Sequence, residues 1–161
     1  MVQQTLFRGP IVVDVPPDKL GEVAVGPEPR CVAVSPDDSE AYVTSSGNGT
    51  VSVINLVGTP AVSAEISVGT ELRGCALTPN GTTLYVADFT GKVFEIAPST
   101  RSIVRALDVG GNPEAIAITN NGDLFDTDET VFVSLFFAEL IPGGPGEGFD
   151  DGKRGVVLAF G

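Results

Sequence analysis

Tyr42-Val43-Thr44 and Tyr85-Val86-Ala87 stand 43 residues apart, and the residues around them recur in step. A fixed period of roughly forty residues restricts a chain to arrays of stacked supersecondary units, propellers and solenoids among them. The first unit runs from Val25-Gly26 through Arg30, Cys31-Val32-Ala33-Val34-Ser35-Pro36-Asp37 and Ala41-Tyr42-Val43-Thr44 to Gly49-Thr50-Val51-Ser52-Val53-Ile54-Asn55-Leu56. The second has Val68-Gly69, Arg73-Gly74-Cys75-Ala76-Leu77-Thr78-Pro79-Asn80-Gly81, Leu84-Tyr85-Val86-Ala87 and Gly91-Lys92-Val93-Phe94-Glu95-Ile96. A third begins at Val109-Gly110 and carries Pro113-Glu114-Ala115-Ile116-Ala117-Ile118, Val131-Phe132-Val133-Ser134 and Gly155-Val156-Val157-Leu158-Ala159-Phe160.

Within a unit, small and apolar residues make a first strand, and Ser-Pro-Asp-Asp, Thr-Pro-Asn-Gly or Thr-Asn-Asn-Gly supplies the turn after it. An aromatic-containing second strand and a Gly-initiated third follow. Residues 61–68 and 102–109 alternate apolar and polar side chains, as an outer strand with one wetted face does. Pro or Gly interrupts nearly every ten-residue window and the apolar spacing follows two, so the helical alternative is set aside. Four strands per unit make a propeller blade. The expectation is an all-β chain, a partial β-propeller of about three four-stranded antiparallel blades. As one propeller segment it divides into 9–25, the third and fourth strands of a preceding blade, then blades at 26–68 and 69–109. Residues 110–161 form an incomplete blade with inserted loops at 123–130 and 138–154.

Composition narrows the chemistry. The chain has no His and no Trp, and its two Cys, Cys31 and Cys75, lack CxxC spacing. His-based triads, zincin motifs and c-type haem attachment are therefore excluded, and ordinary zinc chemistry is disfavoured. A net charge of −12, spread along the chain, repels phosphate backbones and anionic lipid headgroups, so no nucleic-acid partner is expected. No stretch has the apolar length of a membrane span, and the start Met-Val-Gln-Gln-Thr lacks the basic and apolar regions of a secretory signal.

With the units aligned, they resemble the YVTN family of β-propellers of bacterial and archaeal surface-layer and secreted proteins. The resemblance rests on Val25-Gly26 and Val68-Gly69, Ala33-Val34-Ser35-Pro36-Asp37, Ala41-Tyr42-Val43-Thr44, residues 49–56 and Leu84-Tyr85-Val86-Ala87. It covers about residues 9–137 and resumes at 155, with the third unit divergent. The family's Asn after Tyr-Val-Thr is replaced by Ser45 in the first unit and Asp88 in the second. The resemblance implies a closed ring of seven or a similar number of blades and an extracytoplasmic location, whether secreted, periplasmic or on the cell surface. It implies no single reaction, because propellers carry enzymes and inert scaffolds alike.

Candidate sites each admit a plain alternative. Asp123, Asp126, Asp128 and Glu129 place four carboxylates within seven residues, a density that suits Ca²⁺ but equally a solvated acidic loop; calcium is the one cofactor suggested. The 138–154 loop exceeds the usual connection length and reads as a partner-contacting flap or an irregular surface excursion. Arg30, Arg73 and Glu114 occupy one repeat position at the start of the first strand, where they would face the central channel to orient a ligand, or tie blades together. Cys31 and Cys75 fall in neighbouring first strands, offset by one residue, which turns the thiols to opposite faces of their strands. They read as a disulfide or as two buried small hydrophobes. Asn48-Gly49-Thr50 and Asn80-Gly81-Thr82 match the glycosylation sequon, yet Asn-Gly-Thr is also ordinary turn chemistry.

The leading functional expectation is a non-catalytic extracytoplasmic propeller for protein or surface-polymer interaction, or a structural scaffold, with no catalytic residues assigned. The alternative is a lactonase-like or Ca²⁺-dependent hydrolase using Asp88, Asp123 and Glu114 at a channel mouth. Partner blades are expected from the same polypeptide or from another chain, a second copy included.

Overall fold

A computed structural model of the chain describes residues 21–122, 128–137, 139–144 and 153–161. Strands β1 (Pro29–Val34), β2 (Glu40–Ser45), β3 (Thr50–Asn55) and β4 (Ala61–Ser67) form one antiparallel sheet in chain order. Strands β5 (Leu72–Leu77), β6 (Leu84–Asp88), β7 (Lys92–Ala97) and β8 (Ser102–Asp108) form a second sheet in the same order. The third sheet has β9 (Pro113–Ile118) paired with β10 (Val131–Leu135), and β10 paired with β13 (Val157–Phe160). Between the last two, β11 (Glu139–Leu140) and β12 (Lys153–Arg154) pair as a short ribbon within the span where the sequence predicts an inserted loop.

The sheets do not join edge to edge; they stack face on face. Alternation along each strand decides which face each residue serves. Tyr42, Val51, Val53 and Ile66 of the first sheet meet Leu72, Cys75, Leu84, Val86, Phe94 and Ile96 of the second in one buried cluster. Tyr85 and Val93 point the other way, and with Leu107 they pack on Val131, Val133 and Ile116 of the third sheet. Tyr42 and Tyr85 thus have the same job in successive blades, covering the blade that follows. Burying one such side chain stabilises the fold by about 1.5–3 kcal/mol.

Along the inner edge, β1, β5 and β9 stand side by side. Thr44 Oγ1 donates to the Arg73 carbonyl at 2.7 Å and accepts the Cys31 N–H at 3.1 Å, tying the first two sheets together beside their inner strands. Residues 21–25, expected as a strand of a preceding blade, form no ladder among the described residues. Val23 and Val25 lie against Ala41, Val43 and Ile54 on the outward face of the first sheet, the face that a preceding blade would cover. The 9–15 strand expectation lies outside the described residues.

The Val-Gly element of the repeat has a steric cause. A Cβ on Gly69 would sit 2.0 Å from Asp88 Oδ2, and one on Gly26 would sit 2.8 Å from Ser45 Cβ. Ser45 and Asp88 end β2 and β6 at the same repeat position, so each glycine leaves room for the residue that closes the second strand.

Candidate functional site

At the end of the blades where β5 and β9 begin and β6 and β10 finish, side chains from two blades converge. Arg73, near the start of β5, is mostly buried along its side chain and holds its guanidinium carbon 4.7 Å from the centre of the Phe89 ring. Its Nε lies 3.6 Å from Glu114 Oε2, and its Nη2 lies 4.0 Å from Glu71 Oε2. Phe89 sits in the turn after β6, and Phe136 and Phe137 follow β10. Their ring centres are 5.6 Å apart for Phe89 and Phe136, 6.2 Å for Phe89 and Phe137, and 5.0 Å for Phe136 and Phe137. Asn112 fixes the two turns together, donating to the Phe89 carbonyl at 2.8 Å while its own carbonyl accepts the Phe136 N–H at 2.7 Å.

Phe136 and Phe137 are each 59 % exposed. Aromatic rings in tilted and edge-to-face contact are favourable by about 0.5–1.5 kcal/mol per pair, and a cation over a ring adds about 0.5–2 kcal/mol. The rings are therefore held in place by one another and by Arg73, although much of their surface meets water. Exposed carboxylates of Glu71 and Glu114 flank them. Chemically the cluster offers apolar faces for stacking and carboxylates that favour a cation.

Of the three residues expected at one repeat position, the structure brings together Arg73 and Glu114. Arg30 pairs with Glu28 at 3.5 Å in an exposed contact. Asp88 is buried, and its carboxylate is committed to the turn: Oδ2 accepts the Thr70 N–H at 2.8 Å, and Oδ1 accepts the Thr90 N–H at 2.9 Å and the Thr90 hydroxyl at 2.6 Å. Burial pushes its carboxyl up, but the hydrogen bonds from Thr90 and Thr70 outweigh it and hold the group below its ordinary value. Asp123 and Asp126 lie outside the described residues. Asp128 accepts from Asn121 Nδ2 at 3.0 Å, and Glu129 accepts from the Thr119 hydroxyl and the Asn121 N–H. Among the described residues no three His, Cys, Asp or Glu gather as a metal ion would require. Asn80 Oδ1 accepts the Thr82 N–H at 2.8 Å and Asn48 Oδ1 accepts the Thr50 hydroxyl at 2.9 Å, so both sequon amides serve their turns.

The opposite end carries a polar cleft of about 360 Å³ between the first two blades. There Tyr42 donates to Glu40 at 2.5 Å and Arg101 lies 3.5 Å from the same carboxylate. Sequence reasoning missed Phe89, Phe136 and Phe137. The signal was present: register places Phe89 and Phe136 at one repeat position, where the first unit has Ser46.

Sheets stacked face on face, with first strands aligned along the inner edge, define the chain as part of a β-propeller. Comparison with solved structures agrees. The chain is similar to Kuenenia stuttgartiensis hydrazine synthase, with a TM-score of 0.60 and 23 % identity over 71 % of this chain and 31 % of that one. It is also similar to the Myceliophteria thermophila Cps50 (Swd1) β-propeller domain, with a TM-score of 0.61 and 14 % identity over 74 % of this chain and 36 % of that one. The chain thus spans about a third of the length of these structures. No family model and no curated protein matches it. Among the described residues no helix is long and apolar enough to cross a membrane.

Proposed function

We propose that the chain is part of a non-catalytic, extracytoplasmic β-propeller of the YVTN type, in a bacterium or archaeon, that binds a basic polypeptide on the aromatic rim of its second and third blades. The observation that carries the reading is the cluster of half-buried Phe89 with exposed Phe136 and Phe137, bracketed by Glu71 and Glu114. Aromatic rings on a surface favour association with apolar and cationic groups, and the net charge of −12 attracts a basic partner over an acidic one. A carboxylate pair beside the rings adds local complementarity. The acidic run of Asp123, Asp126, Asp128 and Glu129 is a second, separate element of the proposal, as a calcium site.

Fluorescence titration with Lys/Arg-rich, Phe-containing peptides tests the reading against acidic peptides of equal length. Basic peptides should bind, more weakly as salt is raised, and the double variant Phe136→Ser/Phe137→Ser should lose affinity about tenfold or more. Equal binding of acidic and basic peptides, or affinity unchanged in the variant, would remove the rim from the account. Hydrolysis of lactones that stops when calcium is chelated would replace the non-catalytic reading with the enzymatic one.

A further inference from the structure

Strands β1 and β5 meet at the chain's two cysteines, which belong to different blades. Cys31 Sγ accepts the Cys75 N–H at 3.0 Å and lies 3.3 Å from the Cys75 carbonyl oxygen, to which its thiol donates. Both thiols are free, with Cys31 half-buried and Cys75 buried in the cluster between the blades. The one-residue offset that turns them to opposite faces of their own strands is what makes them meet, because one strand's forward face opposes the next strand's backward face. The following interface lacks such a spacer. There Gly74 replaces Cys31, and a Cβ on it would lie 2.7 Å from Ala115 Cα and 3.1 Å from the Ile116 nitrogen. The gap between β1 and β5 is thus one thiol wide, and that thiol is aimed at another cysteine.

We propose that Cys31 and Cys75 are an oxidative cross-linking site, at which a small-molecule disulfide oxidant joins the first blade to the second. The Cys31 thiolate attacks one sulfur of the oxidant, forming a mixed disulfide and releasing one small thiolate. Cys75 then gives its proton to that thiolate and attacks Cys31 Sγ, expelling the second small thiolate. Two protein thiols are oxidised and one disulfide is reduced to two thiols, so the exchange balances.

The local electrostatics favour this order. The hydrogen bond with the Cys75 side chain, opposed by burial and aided by the Cys75 N–H, lowers the Cys31 thiol to about 7, so it is the ready nucleophile. Cys75 is held protonated chiefly by its hydrogen bond to Cys31 and by burial, with the Cys31 charge adding to both. Once Cys31 is in a mixed disulfide, its hydrogen bond and its charge no longer hold Cys75 back.

Thiol titration and unreduced peptide mass mapping of the dilute chain, before and after incubation with oxidised glutathione, test the proposal. Both thiols should disappear, the chain should lose the mass of two hydrogens, and the peptides bearing Cys31 and Cys75 should be joined. These residues are 44 apart in sequence, and closing a loop of that length should raise Tm by roughly 10 °C. In Cys75→Ser the glutathione adduct should accumulate on Cys31, and in Cys31→Ser, Cys75 should stay reduced. Persistent thiols, a stable glutathione adduct on the unmodified sequence, or disulfides between two chains would overturn it, as would the reverse pattern in the single variants.

Discussion

Asp88 shows how one residue closes a blade. Its carboxylate receives Thr70 from the inter-blade connection and Thr90 from its own turn, and Gly69 provides the space in which Oδ2 sits. Gly69→Ala would drive a methyl group into a buried, hydrogen-bonded carboxylate, and we expect a loss of about 2–4 kcal/mol, read as a lower midpoint in denaturant. Because the folded-state value of Asp88 is depressed, its contribution to stability is present above the unfolded value of about 4 and disappears as pH falls through the folded one. Asp88→Asn should therefore flatten the acid limb of a stability-versus-pH curve; an unchanged limb would mean that other carboxylates govern acid unfolding. The Val-Gly motif and Asp88 were both visible in the repeat. Their contact was not, since a period shows which positions are equivalent and says nothing about which of them touch.

At the scale of elements, strand positions were legible because turn chemistry and two-residue alternation mark them independently. β1 to β10 follow the Ser-Pro-Asp and Asn-Gly punctuation closely. The β11–β12 ribbon was not legible, since Glu139-Leu140 and Lys153-Arg154 are too short to carry a period. Nor was the aromatic cluster, which exists only because successive blades set the turns after β6 and β10 side by side. The spacing of the inner strands is likewise a property of pairs of blades. Gly74→Ala should cost roughly 2–3 kcal/mol, because the opposing atoms at 2.7 Å are Ala115 Cα and Glu114 O, which are backbone and cannot rotate aside. Cys31→Ala, at the equivalent position of the preceding interface, should cost only about 1 kcal/mol. Thermal denaturation of the two variants side by side checks this; equal losses would show that the two interfaces are spaced alike.

For the whole molecule, equivalent residues give an internal measure of what a neighbouring blade does. Tyr42 is 2 % exposed beneath the second blade, whereas Phe132, at the same repeat position in the third, is 39 % exposed. Cys75 is 8 % exposed, and Val32, its counterpart in the first blade, is 63 % exposed. Val34 and Val157 add to these open faces. Surfaces that a further blade would keep dry are thus, among the described residues, left to water at both ends of the stack, and uncovered sheet faces associate. Sedimentation of the 161-residue chain across a wide concentration range tests the radial arrangement most directly. The chain should grow heavier with concentration, and Val32→Thr/Val34→Thr/Phe132→Ser/Val157→Thr should stay monomeric with the same strand content. A parent chain that remains monomeric throughout and unfolds in one cooperative transition at high temperature would contradict the stacked-blade account.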